Sequence, residues 1–433
     1  AVFPSGGKKA VSVIVGIDRA TLAAYPEPVL FWDKELSAAV EAVSRARPGA
    51  IGFDILHLAS IDSKRYDFGK MRLGGVLMST PRMVLPYTID GDDIAFPVYV
   101  SRHYRTSFGM DGQMSAGVKL KLMTLAERTG VVAFGFANLE YDDDGVVRNI
   151  TLYDYTAKTR LESFPLRMWM RYHEVARPDE KIMRSSAGVF AGDRKIPPVI
   201  PVNFIGPPGT VPVVPLVEVN TRSGDEQFLR EKFEGKVVIF GAYDPSMGDV
   251  HNTPYVSSRA GITRGMYGSE IVANAVNTLA EDRIISMTGA TGVVVLCIFL
   301  VAAGTVFSRK SISRGLFLYV MLSVSFFTVD FLSFALSDHV VSPLPIAGLS
   351  ASFFIGYLYS HYLIGRDRQL LRTTLSSYID PAIVDRVISE SGTEILRGRR
   401  RDITVLFSDI RNFTALSESR GNPEDVVGIL NVY

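Results

Sequence analysis

The sequence predicts an α/β domain with a mixed sheet over residues 1–284, three transmembrane helices, a helical linker and the opening of a second α/β domain. Three observations carry this. Apolar β-branched runs alternate with helical patterns through the first block. Residues 285–307 and 339–364 hold no Asp, Glu, Lys or Arg, and residues 315–337 hold one. A third apolar run, Ile403–Phe407, ends at Ser408-Asp409 after a long amphipathic stripe. The composition of the 433-residue chain fits: 21% charged residues and a net charge of +1 exclude a globally basic nucleic-acid binder and a wholly disordered chain.

In the first block, Val11–Asp18 reads V-S-V-I-V-G-I-D, a buried strand ending on an acid. Leu36, Val40 and Val43 fall at helical spacing within 31–47, and Pro48-Gly49 stops that helix. Ala50–Leu56, A-I-G-F-D-I-L, is the next strand, and strand–helix–strand implies a parallel layer. Residues 131–137 and 146–155 read as strands around Asp142-Asp143-Asp144-Gly145, which is either a solvated hairpin turn or a calcium loop lacking the ordered ligand spacing. A short helix is expected over 166–176, irregular Pro-rich chain over 192–215, a buried strand over 236–242, and a helix over 268–283 with Ile271, Ala275, Val276 and Leu279 on one face.

The spans are placed at about 285–307, 315–337 and 339–364, each reaching the roughly 20 residues a bilayer helix needs. Cys297, the lone cysteine, excludes an intrachain disulfide and reads as a small apolar residue of the first span. Arg309, Lys310 and Arg314 between the first two spans, and Arg366, Arg368 and Arg372 after the third, mark the cytoplasmic side. Three crossings then place 1–284 outside the cytoplasm and 365–433 inside. The chain begins without Met, and no signal segment is visible, so both ends read as cut and export calls for a segment before Ala1. Asp330, the acid within the second span, either snorkels or caps a hydrogen bond, or serves sensing. His361 reads as interfacial.

The linker, 365–401, carries Leu370, Leu371, Leu375, Ile379, Ile383, Val384 and Val387 as an apolar stripe, fit for a parallel helix pair or for packing on its own downstream domain. Beyond it, Asp409 at a strand end and Asn412-Phe413-Thr414 before a helix near Ala415 put one carboxylate beside free turn amides. On spacing alone Asp409 either binds metal through hard oxygen or caps the adjacent turn. Gly206-Pro-Pro-Gly-Thr210 is not a phosphate loop: it lacks the Lys, and its prolines remove two amides. The six His residues show no metal-ligand spacing, and the basic run at 397–401 reads as a solvated or lipid-facing link.

The run R-D-I-T-V-L-F-S-D-I-R-N-F-T-A-L-S-E at 401–418 closely resembles the opening of the catalytic domain of class III nucleotide cyclases, an α/β ferredoxin-like fold. The runs at 11–18, 50–56, 201–206 and 234–242, with H-N-T-P at 251–254 and the 268–279 helix, resemble the extracytoplasmic sensor domain CHASE2. The usual W-P-W-P opening appears only as Y-P-E-P at 25–28.

These resemblances imply a bacterial inner-membrane sensor adenylate cyclase, with a non-enzymatic receptor or a guanylate cyclase as alternatives. Asp409 would be the catalytic residue and hold two Mg²⁺ or Mn²⁺ ions, with the Ile410 carbonyl on one of them. The Phe413 and Thr414 amides would grip the triphosphate of ATP. A homodimer and an unknown extracytoplasmic ligand are implied partners. The second metal carboxylate of the family would lie after Tyr433, so the chain as it stands is expected to be inert.

Overall fold

The computed structural model describes residues 10–55, 72–90, 93–95, 116–156, 159–185, 187–255, 258–259, 262–263, 265–376, 402 and 404–432. The chain divides into two compact units, 1–298 with 320–346, and 299–319 with 347–433.

The first unit is built on β1 (Ser12–Ile17), α1 (Arg19–Ala24), α2 (Asp33–Arg45), β2 (Ala50–Asp54), α3 (Leu73–Ser79), β3 (Met83–Asp90), α4 (Ala116–Arg128), β4 (Val132–Phe136), α5 (Phe164–Ala176), β5 (Val213–Pro215), α6 (Leu216–Thr221), α7 (Glu226–Phe233), β6 (Val237–Ala242) and α8 (Gly268–Ala280). The strands form one parallel sheet in the order β5-β1-β6-β2-β3-β4, and Asp93–Ala95 adds an antiparallel pairing to the end of β3. A mixed sheet is therefore correct. The expected parallel layer holds both β1 and β2, and β6 lies between them, a long-range insertion that no local spacing announces.

All six residues of β1 and of β6 are buried because helices cover both faces. Val13, Val15 and Ile17 pack with Leu36, Val40 and Val43 of α2 and with Leu229 and Phe233 of α7. Ile14 faces the other way, toward Phe164 and Met168 of α5 and Val272 and Val276 of α8. A satellite core joins Trp169, Leu279 and the short antiparallel strands Ile182–Ser185, Gly188–Ala191 and Arg194–Ile196. At its border Arg167 is buried and pairs with Glu127 and, at 2.8 Å, with Glu162.

Two local expectations change. Asp142–Gly145 is a turn, closed by Gly145 N–H donating to the Asp142 carbonyl, but it joins no hairpin. β4 pairs with β3, and Asn149–Thr151 pairs with Val199–Pro201. Arg148 holds Asp142 at 2.7 Å and Asp144 at 2.6 Å, which accounts for the acid cluster without calcium. The Pro-rich 192–215 segment is also less irregular than expected, since three short strands lie in it.

Among the described residues the expected three membrane spans are corrected to two. α9 (Ala290–Ser308) and α10 (Ile312–Ser337) are long and apolar enough to cross a membrane, and almost none of either is buried in protein. The third segment starts late. His339–Val340 pairs as a strand with Ser286–Met287, and the chain through Pro343 enters α11 (Leu344–Ser376) only at Leu344. Among the described residues the apolar stretch of α11 is Leu344–Ser360, shorter than the roughly 20 residues of a crossing. With two candidate crossings among the described residues, the sidedness argument from three crossings falls. Asp330 accepts from Val341 N–H at 2.8 Å, the capping role among its expected readings.

In the second unit, Gly304 lies against Ser352 and the Leu349 carbonyl, and Gly356 against Ser308, so small residues bring the backbones of α9 and α11 together. Tyr319 stacks on Phe353 at 4.9 Å and its hydroxyl lies 3.0 Å from Ser350 Oγ. α11 continues to Ser376. The linker stripe from Ile379 onward and the basic run at 397–401 lie outside the described residues, and nothing is described of the His361 side chain.

Candidate functional site

The carboxyl ends of β2, β4 and β6 open into a cavity of about 450 Å³. Ligands of parallel α/β sheets bind at this edge, where the strand order leaves a crevice. The register fixes which residues arrive there: Asp54 ends β2 level with Gly241 of β6. Gly241 carries no Cβ where Ser269 closes on the strand end, and Ser269 Oγ donates to the Ala242 carbonyl at 3.1 Å. The first turn of α8 is thereby pinned beside Asp54.

Asp249, His251 and Tyr141 complete the polar lining. Asp249 Oδ1 lies 2.8 Å from His251 Nε2, and Tyr141 Oη lies 2.7 Å from His251 Nδ1. A neutral ring donating from Nε2 and accepting from the Tyr141 hydroxyl satisfies both. A Cβ on Gly268 would sit 2.6 Å from the Asp249 carboxylate, so glycine lets that charge approach the amino end of a 13-residue helix. Among the described residues Asp54 has no such support. Burial first, and the Asp249 charge second, push its pKa up to about 7. Leu139, Met247 and other apolar groups form the remaining wall.

Glu270, one turn into α8, is fully buried, and burial raises its pKa. Its Oε1 accepts from Gly209 N–H at 2.8 Å and more distantly from Val211 N–H. The Gly206–Thr210 loop thus spends an amide on an internal carboxylate, in keeping with its exclusion as a phosphate loop.

Below α8 the first unit is tied to the ends of the apolar helices. Arg283 donates from Nε and Nη2 to the two oxygens of Asp338 at 3.0 and 2.7 Å. Asn203 Nδ2 donates to Asp338 Oδ1 at 3.0 Å and to the Arg283 carbonyl at 3.1 Å. Ser286 N–H donates to the Asp338 carbonyl, while His339 meets Ser286 Oγ and Thr288 Oγ1. Asp338 takes φ +50° there, the left-handed turn that lets the chain leave α10 into this pairing.

The sequence-predicted site has a different character. Residues 404–410 are coil rather than strand, with Val405, Leu406 and Phe407 exposed by 61, 88 and 91%. Asp409 is exposed, and its Oδ1 accepts from Ile410 N–H at 2.9 Å. The Ile410 carbonyl accepts from Phe413 N–H at 3.3 Å. α12 (Phe413–Arg420) begins two residues before the expected Ala415, with Asn412 at φ +60°, and is followed by α13 (Pro423–Leu430). Asp409, Ile410, Phe413 and Thr414 therefore share one turn. Among the described residues no group of three His, Cys, Asp or Glu side chains could hold a metal ion, so this turn alone does not make a two-ion site.

Sequence reasoning missed the cavity. Asp54 was legible as an acid ending an apolar run, and His251 within H-N-T-P, but nothing local joins residues 54, 141 and 251. No curated protein and no solved structure matches the chain. The model of the CHASE2 domain matches residues 3–306, taking in the sheet, the cavity and the first apolar helix as far as Val306. With that match over most of its length and two exposed apolar helices, the chain belongs to the CHASE2 family and is a membrane sensor protein.

Proposed function

We propose that the CHASE2 domain senses an extracytoplasmic ligand and governs a class III adenylate cyclase output, ATP to 3′,5′-cyclic AMP and pyrophosphate, whose catalytic domain opens at Asp402. The observation that carries the sensing half is the Asn203–Arg283–Asp338 tie. It joins the helix beside the cavity to the end of α10, so a shift of α8 has a route into the apolar helices. The output half is supported by the 401–418 motif. Asp409 and the Ile410 carbonyl would supply one side of a site for two Mg²⁺ or Mn²⁺ ions, opposite a second carboxylate, and the Phe413 and Thr414 amides would face the triphosphate. Bound there, the ions would activate the ribose hydroxyl and neutralise the departing pyrophosphate. A homodimer would bring two such domains together.

This reading requires Asp409 and the sensor on opposite sides of the membrane, an arrangement two crossings alone do not produce. Cys297→Ala protein carrying Gln227→Cys or Asp409→Cys, exposed in cells to a membrane-impermeant thiol reagent, tests it. Residue 227 should label from outside and residue 409 only after permeabilisation; equal labelling defeats the arrangement. Separately, cyclic AMP made by a full-length protein should vanish with Asp409→Asn, and its persistence would remove the catalytic assignment.

A further inference from the structure

The geometry points to a ligand class for the cavity at the strand ends: a small organic cation, an ammonium group on an apolar body, held by Asp54 and Asp249 with His251 and Tyr141 beside it. This assignment deepens the sensing half of the proposed function and is independent of the cyclase output.

The lining decides the charge of the occupant. Two carboxylates face the cavity, no Lys or Arg lines it among the described residues, and the amino end of α8 already serves Asp249, so the lining favours a cation over a carboxylate or phosphate ligand. The two acids are in unequal states. Asp249 is already served by His251 and by the amino end of α8. Asp54 has no hydrogen bond or ion pair to its side chain among the described residues, although it is sunk deeply enough at the end of β2 for burial to favour its neutral form. A part-buried carboxyl without a partner among the described residues is an incomplete arrangement, and an incoming ammonium supplies both the charge and the donors it lacks.

The wall decides the body. Ile55, Ala137, Leu139, Met247 and Val272 present apolar surface around the acids, and about 450 Å³ falls in the range of small-molecule pockets. The hydrogen-bonded chain Tyr141–His251–Asp249 holds Asp249 in place at the cavity wall. A bare divalent cation is a poorer occupant, because no group of three ligating side chains surrounds any point among the described residues.

The test uses the full chain in lipid nanodiscs at about pH 8, where a free carboxyl of this kind is charged. The probes share one skeleton: 2-phenylethylamine, 2-phenylethanol and 3-phenylpropanoate, with calcium and magnesium chloride as a separate arm. Calorimetry should show the amine binding at least about tenfold more tightly than the alcohol, and the carboxylate not at all. Asp54→Asn and Asp249→Asn should each weaken the amine about tenfold or more and leave the alcohol unchanged. Should Asp249→Asn fail to fold, Asp54→Asn decides alone, because removing an unpartnered enclosed acid does not threaten the fold. Equal binding of amine and alcohol, binding of the carboxylate, absence of amine binding, or calcium or magnesium binding lost in the same variants would each overturn the assignment. Cyclic AMP output is not read here, so failure of the ligand class and failure of the output reading remain distinguishable.

Discussion

Asp54 and Asp409 look alike in sequence and differ in every physical respect in the structure. Each follows an apolar run, A-I-G-F-D and V-L-F-S-D, and each is followed by Ile. The first run lies in a sheet covered on both faces, and its acid ends in a cavity with its pKa pushed up to about 7. The second run has no strand partner among the described residues, its Leu406 and Phe407 are exposed, and its exposed acid accepts from one backbone amide. Asp338 stands between them, part-buried and held by Arg283 and Asn203. A carboxylate at the end of an apolar run is thus desolvated, paired or exposed according to what the rest of the chain builds around it.

The largest expected effect lies at Asp54. Its folded pKa of about 7 stands above the ordinary 3.8, so it stabilises the fold below that ordinary value, and the contribution is lost as pH rises through about 7. Unfolding of the wild-type sensor should weaken by on the order of 2–4 kcal/mol from acidic to mildly alkaline pH through this group. Asp54→Asn should flatten that dependence and be the more stable protein near pH 8. A denaturant series at several pH values would show it, and an unchanged slope in the variant would mean that Asp54 is not the enclosed group described.

An intermediate effect is expected at Asp338. Arg283→Met removes both of the arginine's bonds to the carboxylate while keeping the chain's bulk. Amide exchange at Ser286 and Thr288, whose N–H groups bond to the Asp338 and Val340 carbonyls, should quicken about tenfold, about 1–2 kcal/mol, with the amides of β1 and β6 unaffected. Uniform acceleration across the sheet would show that the pair supports the whole domain and not the tie.

The smallest effect belongs to Asp409. Asp409→Asn should leave the unfolding midpoint within about 0.5 kcal/mol, since an exposed side chain bonded only to its neighbour's amide contributes little to folding. A loss of more than about 1 kcal/mol would show that 404–410 is packed as a strand and would erase the contrast with Asp54.

Much of the sensor was legible because its signals are local. β1, β6 and α8 stand within a residue or three of their expected bounds, since runs of V, I, F and G and the 271-275-276-279 face record their own burial. The spans failed at the third because a composition window does not see a strand: His339 and Val340 are apolar enough for a bilayer, yet they pair with Ser286 and Met287. Of the strand expected over 403–407, the described residues 404–407 are coil for the converse reason, as an apolar run becomes a strand only when a neighbour offers its hydrogen bonds.

By itself the sequence determined which sheet strands and helix faces of the sensor avoid water, because hydrophobic burial is written residue by residue in side-chain chemistry, and it determined the α/β class and the existence of apolar helices. Only the tertiary structure decided that β6 enters between β1 and β2, and that Asp249, His251 and Tyr141 gather around Asp54. It alone set Arg283 against Asp338. Those outcomes turn on distances between residues far apart in the chain, where electrostatics and desolvation act through space and leave no periodic mark along the sequence.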